Sequence, residues 1–583
     1  MRTERRAQVA LLAVVVVAAG LRFSHLAWDG LHHTHPDERY VLFVASSMRL
    51  PDRAADLLRP ARSTLNPFRA PSPGGGVGAI RPYSYGHLPL YAMLAARPLA
   101  SPLLRAAYPL PFDRLTLVGR GLSALYDTLT VLLVGLLARR LYDSRAAWLA
   151  AAFAALAVLH IQQSHFATVD TALTLFVTLA LYFMARGNGL LAGLCAGLAL
   201  GSKVSALPLL LPLAIVHIEH GGGERRVSRR LWFALAIAGL AFALTNPYAL
   251  LELPLFARDI ATQAALVRGR LDVAFVRQYA GTFPLWYFVA QQGRWGLGWP
   301  LMMACYAGLG WATWSAYTWR DLSAPAVPLL LWSWLTLLIV GTQFVKFPRY
   351  LLPLTPVLFV FAAGWLNRLG RLRAPLAALV LLPTALNALA FWQMYAQPHP
   401  WLAASEWIYD HLPPGTVLAV ERGDDALPLD LNADGEPLRA ALSYDQRPLD
   451  PYTADQDLTA FLADLAASDY LVLASNRLYG TLPRLEGRYP LAASMYRHLF
   501  AGDLGFEFER AFSRYPALFG LPLVDDTFTR PGLTPPPGLD VSAWHLGYAD
   551  ESFTVYDHPL VLVFRNQAHL SAAEMQAIVV ADG

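Results

Sequence analysis

The chain has 583 residues, 55% of them hydrophobic and 15% charged, with a formal net charge of +4 at neutral pH. Soluble domains carry roughly 25% charged residues, so the composition excludes an ordinary water-soluble globule and asks for lipid as solvent. The basic residues cluster between apolar runs without interleaved aromatics, which excludes nucleic acid as a partner, and both cysteines, Cys195 and Cys305, sit inside apolar segments, which excludes a disulfide framework.

In chain order, the basic start MRTERR leads into an apolar run from about Ala7 to Leu21. RFSHLAWDG after it holds no small-residue cleavage site, so the run reads as an uncleaved anchor. Further runs near the roughly 20 residues that cross a bilayer fall at 114–137, 146–161, 170–186, 230–250, 295–317, 324–342, 350–367 and 375–393. Between Asn188 and Glu219 two shorter apolar stretches, split by Gly201-Ser202-Lys203, read as a hairpin of short helices. The expected fold is a polytopic α-helical membrane protein of about eleven spans.

Basic loops mark the cytoplasmic connections. MRTERR, ARRLYDSR, ARG, GGGERRVSRR, TWRD and NRLGRLR alternate as that rule requires, which puts the N-terminus inside the cell. The long loops at 24–113 and 251–294, and everything after about Tyr395, then lie outside the cytoplasm, in the plasma membrane of a cell with an envelope. The chain is expected to divide into a membrane domain, 1–395, and an extracytoplasmic α/β domain, 396–583. In the latter, TVLAVE, YLVLAS and the pair SFTVYDH and LVLVFR read as strands, and PWLAASEWIYDHL and LTAFLADLAAS as amphipathic helices. The Gly-rich stretch at 71–76 reads as a flexible piece of the first outer loop.

Charge near lipid is costly unless paired, so ionisable residues at span ends are candidate functional groups. HPDERY places Asp37 and Glu38 shortly after the first span, where a carboxylate can take a proton from an attacking hydroxyl; the competing reading is a solvated acidic turn. Asp170 opens the fourth span, where the helix dipole also favours an acid. The chain has only two lysines, Lys203 and Lys346, both at non-cytoplasmic span ends. With Arg349 in FVKFPRYLLPLTP, they can hold a departing phosphate, or snorkel to the interface. Arg120 and Asp127 are seven residues apart on one helix face and can pair within the bundle, or Arg120 can reach a phosphate. His25, His32, His33, His35, Asp29 and Asp37 match no compact zinc spacing, so no metal is assigned. In the tail, ERGDDALPLD gathers Glu421, Asp424 and Asp425 and reads as an acidic surface turn.

HPDERY, YSYGHLPLY, SHFATVD, GLALGSKVSALPLLLPL and FVKFPRYLLPLTP, in this order and on these sides of the membrane, resemble the GT-C superfamily of membrane glycosyltransferases. The resemblance covers about 1–395 and is closest to the bacterial branch related to protein O-mannosyltransferases and the lipid A aminoarabinose transferase. It implies transfer of a sugar from a polyprenyl-phosphate donor, with inversion, to a hydroxyl of a lipid, glycan or protein acceptor. The implied roles are Asp37 as base or acceptor-orienting acid, Asp170 as the second acid with Glu38 shaping the site, and Lys203, Lys346, Arg349 and Arg120 as lipid-phosphate ligands. Metal-dependent relatives such as oligosaccharyltransferase carry a further acid near the second one. TVDTAL has none, so no cofactor or essential divalent ion is expected. The alternative reading is a lipid or sugar transporter, which predicts paired broken helices and symmetric halves; only one hairpin interruption is seen.

Overall fold

The computed structural model describes residues 2–71, 77–105, 110–221, 224–319, 325–433, 436–525, 528, 533–540 and 542–581. From residue 72 onward the Gly-rich stretch lies outside the described residues, as do Arg320 and Asp321 of TWRD. The chain forms two compact units: 1–26, 35–271 and 282–388 make the first, and 27–34, 272–281 and 389–583 the second. Two short pieces of the long loops, 27–34 and 272–281, therefore group with the tail.

The first unit is helical. Helix α1 (Arg2–Phe23) is the first apolar run. The first long loop holds α2 (Pro36–Ser46), a hairpin of β1 (Arg69–Pro71) and β2 (Val77–Ile80), and α3 (Leu88–Leu103). Next come α4 (Phe112–Leu141), then α5 (Ser144–Leu156) and α6 (Val158–Ser164), a pair bent by 60°. The bend sits at Ala157, whose extended backbone interrupts the helical ladder. Helices α7 (Asp170–Ala185) and α8 (Gly189–Ser202) lead to a 3-10 turn, Val204–Leu209, and α9 (Leu210–Ile215). A second hairpin, β3 (Ile218–Gly221) with β4 (Glu224–Val227), precedes α10 (Arg229–Thr245). The second long loop carries α11 (Pro247–Leu251), α12 (Leu253–Val267) and α13 (Trp286–Gln291). Helices α14 (Trp299–Trp319), α15 (Val327–Gly341), α16 (Thr355–Asn367) and α17 (Arg373–Trp392) follow.

A helix or bent pair thus stands at each expected span. Among the described residues, four helical stretches are long and apolar enough to cross a membrane, Glu4–Phe23, Phe112–Leu141, Pro348–Asn367 and Gly370–His411, and five if the bent pair is one span. Others, such as α7, α8 and α15, are apolar but shorter. The core of this unit is built from small and branched side chains, among them Ala150, Ala154, Val177, Leu301 and Val357, which let helices approach closely.

The second unit centres on a five-stranded sheet in the order β10-β14-β9-β5-β8. Its strands are β5 (Val417–Glu421), β8 (Asp445–Leu449), β9 (Tyr470–Leu473), β10 (Phe506–Phe512) and β14 (Val561–Asn566), with a hairpin of β6 (Leu431–Ala433) and β7 (Glu436–Arg439) inserted. A smaller sheet joins β11 (Ala517–Leu518), β12 (Leu521–Val524) and β13 (Trp544–His545). β5 is parallel to β8 and β9, and β14 is antiparallel to β9 and β10. Alternation along β14 divides two cores: Val561 and Val563 face one, with Trp401 and Ile408 of α18 (Pro400–His411), and Leu562 and Phe564 face the other. That second core holds Phe461 of α19 (Leu458–Ala466), Leu499 of α20 (Pro490–Ala501) and Val579 of α22 (Ala572–Ala581). A sheet covered on both faces reads as continuous apolar strands, which is why TVLAVE, YLVLAS and LVLVFR were legible.

SFTVYDH is not a strand. It begins as the short helix α21 (Glu551–Thr554), because the Asp550 side chain accepts from the Ser552 amide and caps a helical turn. The partner expected for it, LVLVFR, pairs with β10 and β9 instead.

Candidate active site

The site begins at the N-terminus of α2. His35 caps it, its Nδ1 accepting from the amides of Asp37 and Glu38 at 3.2 and 3.3 Å, and Pro36 occupies the first turn, where a missing N–H costs nothing. Consecutive residues on a helix point about 100° apart, and this splits the acidic pair. Glu38 is fully buried: it forms an ion pair with Arg120 of α4, whose Nε lies 3.1 Å from both carboxylate oxygens, and accepts from the Ala167 amide at 2.6 Å. Asp37 stays partly exposed and ion-pairs with Arg349 Nη2. Arg349 Nη1 lies 3.2 Å from His35 Nε2.

Asp170 starts α7 and pairs with Lys203, the cap of the 3-10 turn after α8, at 2.8 Å. The Lys203 ammonium also lies 5.3 Å from the Tyr350 ring and 5.8 Å from the Tyr85 ring. A close backbone approach positions both Tyr85 and Lys203. Gly86 donates its amide to Ser202 O at 3.0 Å, and a Cβ on Gly86 would meet Gly201 O at 1.9 Å. YSYGHLP and GLALGSK therefore require glycine where they meet.

Two cavities of this unit share Ser84, Tyr85 and Gln263 in their walls. One, of about 630 Å³, is lined by Asp37, Tyr40 and, from α12, Arg258 and Asp259. The other, of about 270 Å³, is lined by Asp170, Lys203, Arg349 and Tyr350, with apolar Leu173, Ile260 and Val340. Burial alone would raise the Asp37 carboxyl, but Arg349, His35, Lys203 and the hydrogen bond from Tyr85 outweigh it and hold its pKa below the ordinary 3.8. Burial, with Asp37 nearby, pushes the Tyr85 phenol well above its ordinary range, so it remains a donor. A proton acceptor therefore borders one chamber while two cations border the other.

Three expectations change on this geometry. Arg120 pairs with Glu38, so neither faces either cavity. Arg120 and Asp127 do not meet, since seven residues of helix span about 10.5 Å and each has a closer partner. Lys346 donates to Thr282 Oγ1 at 3.1 Å and to Phe344 O at 2.8 Å, and it lines neither cavity; of the two lysines, Lys203 is the one in the chamber.

Sequence reading missed Tyr85, Arg258 and Asp259, which carry no distinctive spacing. It also missed Arg22 and His160. Asp127 accepts from Arg22 Nε and lies against His160 Nδ1, each at 2.6 Å, and His160 Nε2 lies 2.7 Å from Thr355 Oγ1. Arg22 further donates to Ala154 O and Ala155 O at 2.9 and 3.0 Å, the carbonyls that α5 leaves open at its bend. An arginine at the end of an apolar run, which had read as a flank, is the group that satisfies a broken helix in an apolar setting.

Among the described residues, no three His, Cys, Asp or Glu side chains converge as a metal site. Asp37 and Asp170 each pair with a cation, Arg349 and Lys203 respectively.

The first unit is thus a bundle of apolar helices with long helix-bearing loops, carrying acids and cations around adjoining chambers. Residues 98–250 match the profile of the dolichyl-phosphate-mannose-protein mannosyltransferase family, and the fold is similar to that of a solved oligosaccharyltransferase. The solved oligosaccharyltransferase of Archaeoglobus fulgidus, in complex with Zn and sulfate, superposes with a TM-score of 0.51 at 15% identity, over 86% of this chain and 71% of that one. ArnT from Cupriavidus metallidurans bound to undecaprenyl phosphate is similar at a TM-score of 0.42 and 15% identity, over 81% and 94%. The archaeal oligosaccharyltransferase AglB from Archaeoglobus fulgidus, with an inhibitory peptide and a dolichol-phosphate, gives 0.49 and 15%, over 88% and 75%. Comparison with curated protein sequences finds no match.

Proposed function

We propose that this protein is a membrane glycosyltransferase that moves a sugar from a polyprenyl-phosphate carrier to an acceptor hydroxyl, with inversion, on the extracytoplasmic face. The observation that carries this reading is Arg349, which holds Asp37 of one cavity while lining the other beside Lys203. The carrier phosphate enters the smaller cavity against Lys203 and Arg349, and the acceptor enters the larger one. The acceptor oxygen attacks the anomeric carbon from the face opposite the phosphate. As the new C–O bond forms and the sugar–phosphate bond breaks, Asp37 takes the hydroxyl proton and the two cations neutralise the departing phosphate. Tyr85 orients Asp37, and fixed placement of both substrates supplies much of the rate.

The topology that goes with this reading has about eleven spans, an inner N-terminus, and the C-terminal domain 396–583 outside the cytoplasm. Undecaprenyl phosphate bound to ArnT and dolichol-phosphate bound to AglB support a lipid-linked donor in general terms. No divalent ion takes part.

The test is sugar release from radiolabelled polyprenyl-phosphate sugars, comparing wild type with Asp37→Asn in detergent-lipid micelles. Turnover of one donor that collapses in Asp37→Asn while donor binding survives supports the reading. No turnover or binding of any donor sinks it and favours the transporter.

A further inference from the structure

Transfer leaves unused a cluster of ionisable side chains in the second unit, at the carboxyl ends of β5 and β9. β5 pairs in parallel with β8 on one side and β9 on the other. Strand order therefore reverses at β5, and open α/β sheets take ligands in the crevice beyond the strand carboxyl ends at such a reversal. ERGDDALPLD starts there; Arg422, Gly423 and Ala426 of this turn are exposed, while Glu421 and Asp424 are tied into the fold. Glu421, the last residue of β5, accepts from Tyr496 OH. Asp424 accepts from Ser475 Oγ and pairs with Arg477 Nη2 at 3.1 Å, so the loop after β5 is tied to the loop after β9. Asn476 donates to Asp525 at 2.9 Å, and Thr481 donates to Glu551 Oε1 at 2.6 Å.

Arg477 Nε and Glu551 Oε2 have no hydrogen-bond partner among the described residues, and their residues are only 9% and 6% exposed. A buried donor or acceptor without a partner costs about 1–3 kcal/mol. The two groups are close enough for Arg477 to lower the Glu551 pKa, although burial still pushes that carboxyl up to about 7, and burial pushes Glu421 up to about 8.

The chemistry narrows the ligand. The cluster holds four acids, Glu421, Asp424, Asp525 and Glu551, with Arg477 paired to Asp424 and Arg484 acting on Glu551, and this excess of acid disfavours a phosphate or carboxylate ligand. The guanidinium in their midst disfavours a metal ion, and no metal-type triad forms among the described residues. An open donor and an open acceptor in one cluster suit a group that does both, which is what a hydroxyl does. We propose that the crevice at the carboxyl ends of β5 and β9 is a carbohydrate-binding site of the C-terminal domain, taking an uncharged, hydroxyl-rich glycan through Arg477, Glu551 and the Asp424 and Asn476 loops. This proposal does not rest on the transferase reading.

The experiment is saturation-transfer-difference NMR on the full chain in a sugar-free detergent, with glucose, galactose, mannose, N-acetylglucosamine and their disaccharides, and with the uronic acid and sulfated analogues. The expected result is binding of at least one neutral sugar, unchanged in Asp37→Asn and weakened about tenfold or more in Glu551→Gln, the loss of about one charge-assisted hydrogen bond. Asn476→Asp, at a partly exposed position, is the second variant should Glu551→Gln fail to fold, and it is expected to weaken binding likewise. Absence of binding to any neutral sugar overturns the proposal. So does binding lost in Asp37→Asn but kept in both crevice variants, or a preference for the anionic analogues.

Discussion

Arg349 donates to the carboxylate of Asp37 across 312 residues of chain, and it also lines the chamber that holds Lys203. The same guanidinium therefore sets the charge state of the proposed base and faces the proposed leaving group.

The first prediction concerns pH. Asp37 has a folded-state pKa below 3.8, so it stays ionised through the neutral range. Its stabilising contribution is complete above its unfolded pKa and is lost as pH falls through the lower folded value. In wild type, kcat/KM for transfer should hold down to about pH 4 as far as Asp37 is concerned. In Arg349→Gln the largest of the charges that lower the Asp37 pKa is gone, and the acid limb should move to higher pH while kcat falls about a hundredfold. A pH–rate series on both proteins checks this, and an unmoved limb would remove Arg349 from control of Asp37.

Glu38 and Arg120 should act through stability. Removing one partner of a fully buried ion pair costs about 3–5 kcal/mol, so Glu38→Ala and Arg120→Ala should each lower the thermal unfolding midpoint markedly. Glu38→Gln, which keeps hydrogen-bonding capacity, should recover part of that loss, with transfer per folded molecule near wild type. A Glu38→Gln protein that is stable yet inactive would return Glu38 to the chemistry.

The two lysines should separate. Lys203 lines the smaller chamber and Lys346 does not. Lys203→Met should weaken polyprenyl-phosphate binding about tenfold or more, whereas Lys346→Met should act mainly on stability. Titration of fluorescent polyprenyl phosphate into both variants decides between them; equal losses of affinity would contradict the assignment.

Gly86→Ala should abolish transfer with little change in expression of the protein. A methyl group there would sit 1.9 Å from Gly201 O and force the Tyr85 and Lys203 segments apart. Donor binding and sugar release can be assayed together, and normal values for both would show that this contact does not position the site.

Metal independence is equally direct. Because Asp37 and Asp170 each hold a cation, dialysis against EDTA should leave the transfer rate unchanged, and added Mg²⁺ or Mn²⁺ should not raise it. Recovery of an EDTA-silenced enzyme by either ion would refute this.

The sequence by itself determined the membrane character and the strands of the tail, because both rest on local period and run length. Apolar runs announce spans wherever the solvent is lipid, and β5, β9 and β14 read plainly because both faces of their sheet are covered. It also placed Asp37, Asp170, Lys203 and Arg349 among the candidates, since cations and acids at the ends of apolar runs are costly. Only the tertiary structure decided which charges pair. Asp37 and Glu38 look equivalent in HPDERY, yet one helical step buries Glu38 against Arg120 and leaves Asp37 at a cavity wall. Arg22 passes for a flank until the bend at Ala157 exposes carbonyls for it to meet. SFTVYDH alternates like a strand, but the Asp550 cap starts a helical turn that its pattern does not show. Pairing energies depend on distances between segments hundreds of residues apart, and those distances exist only after the helices pack.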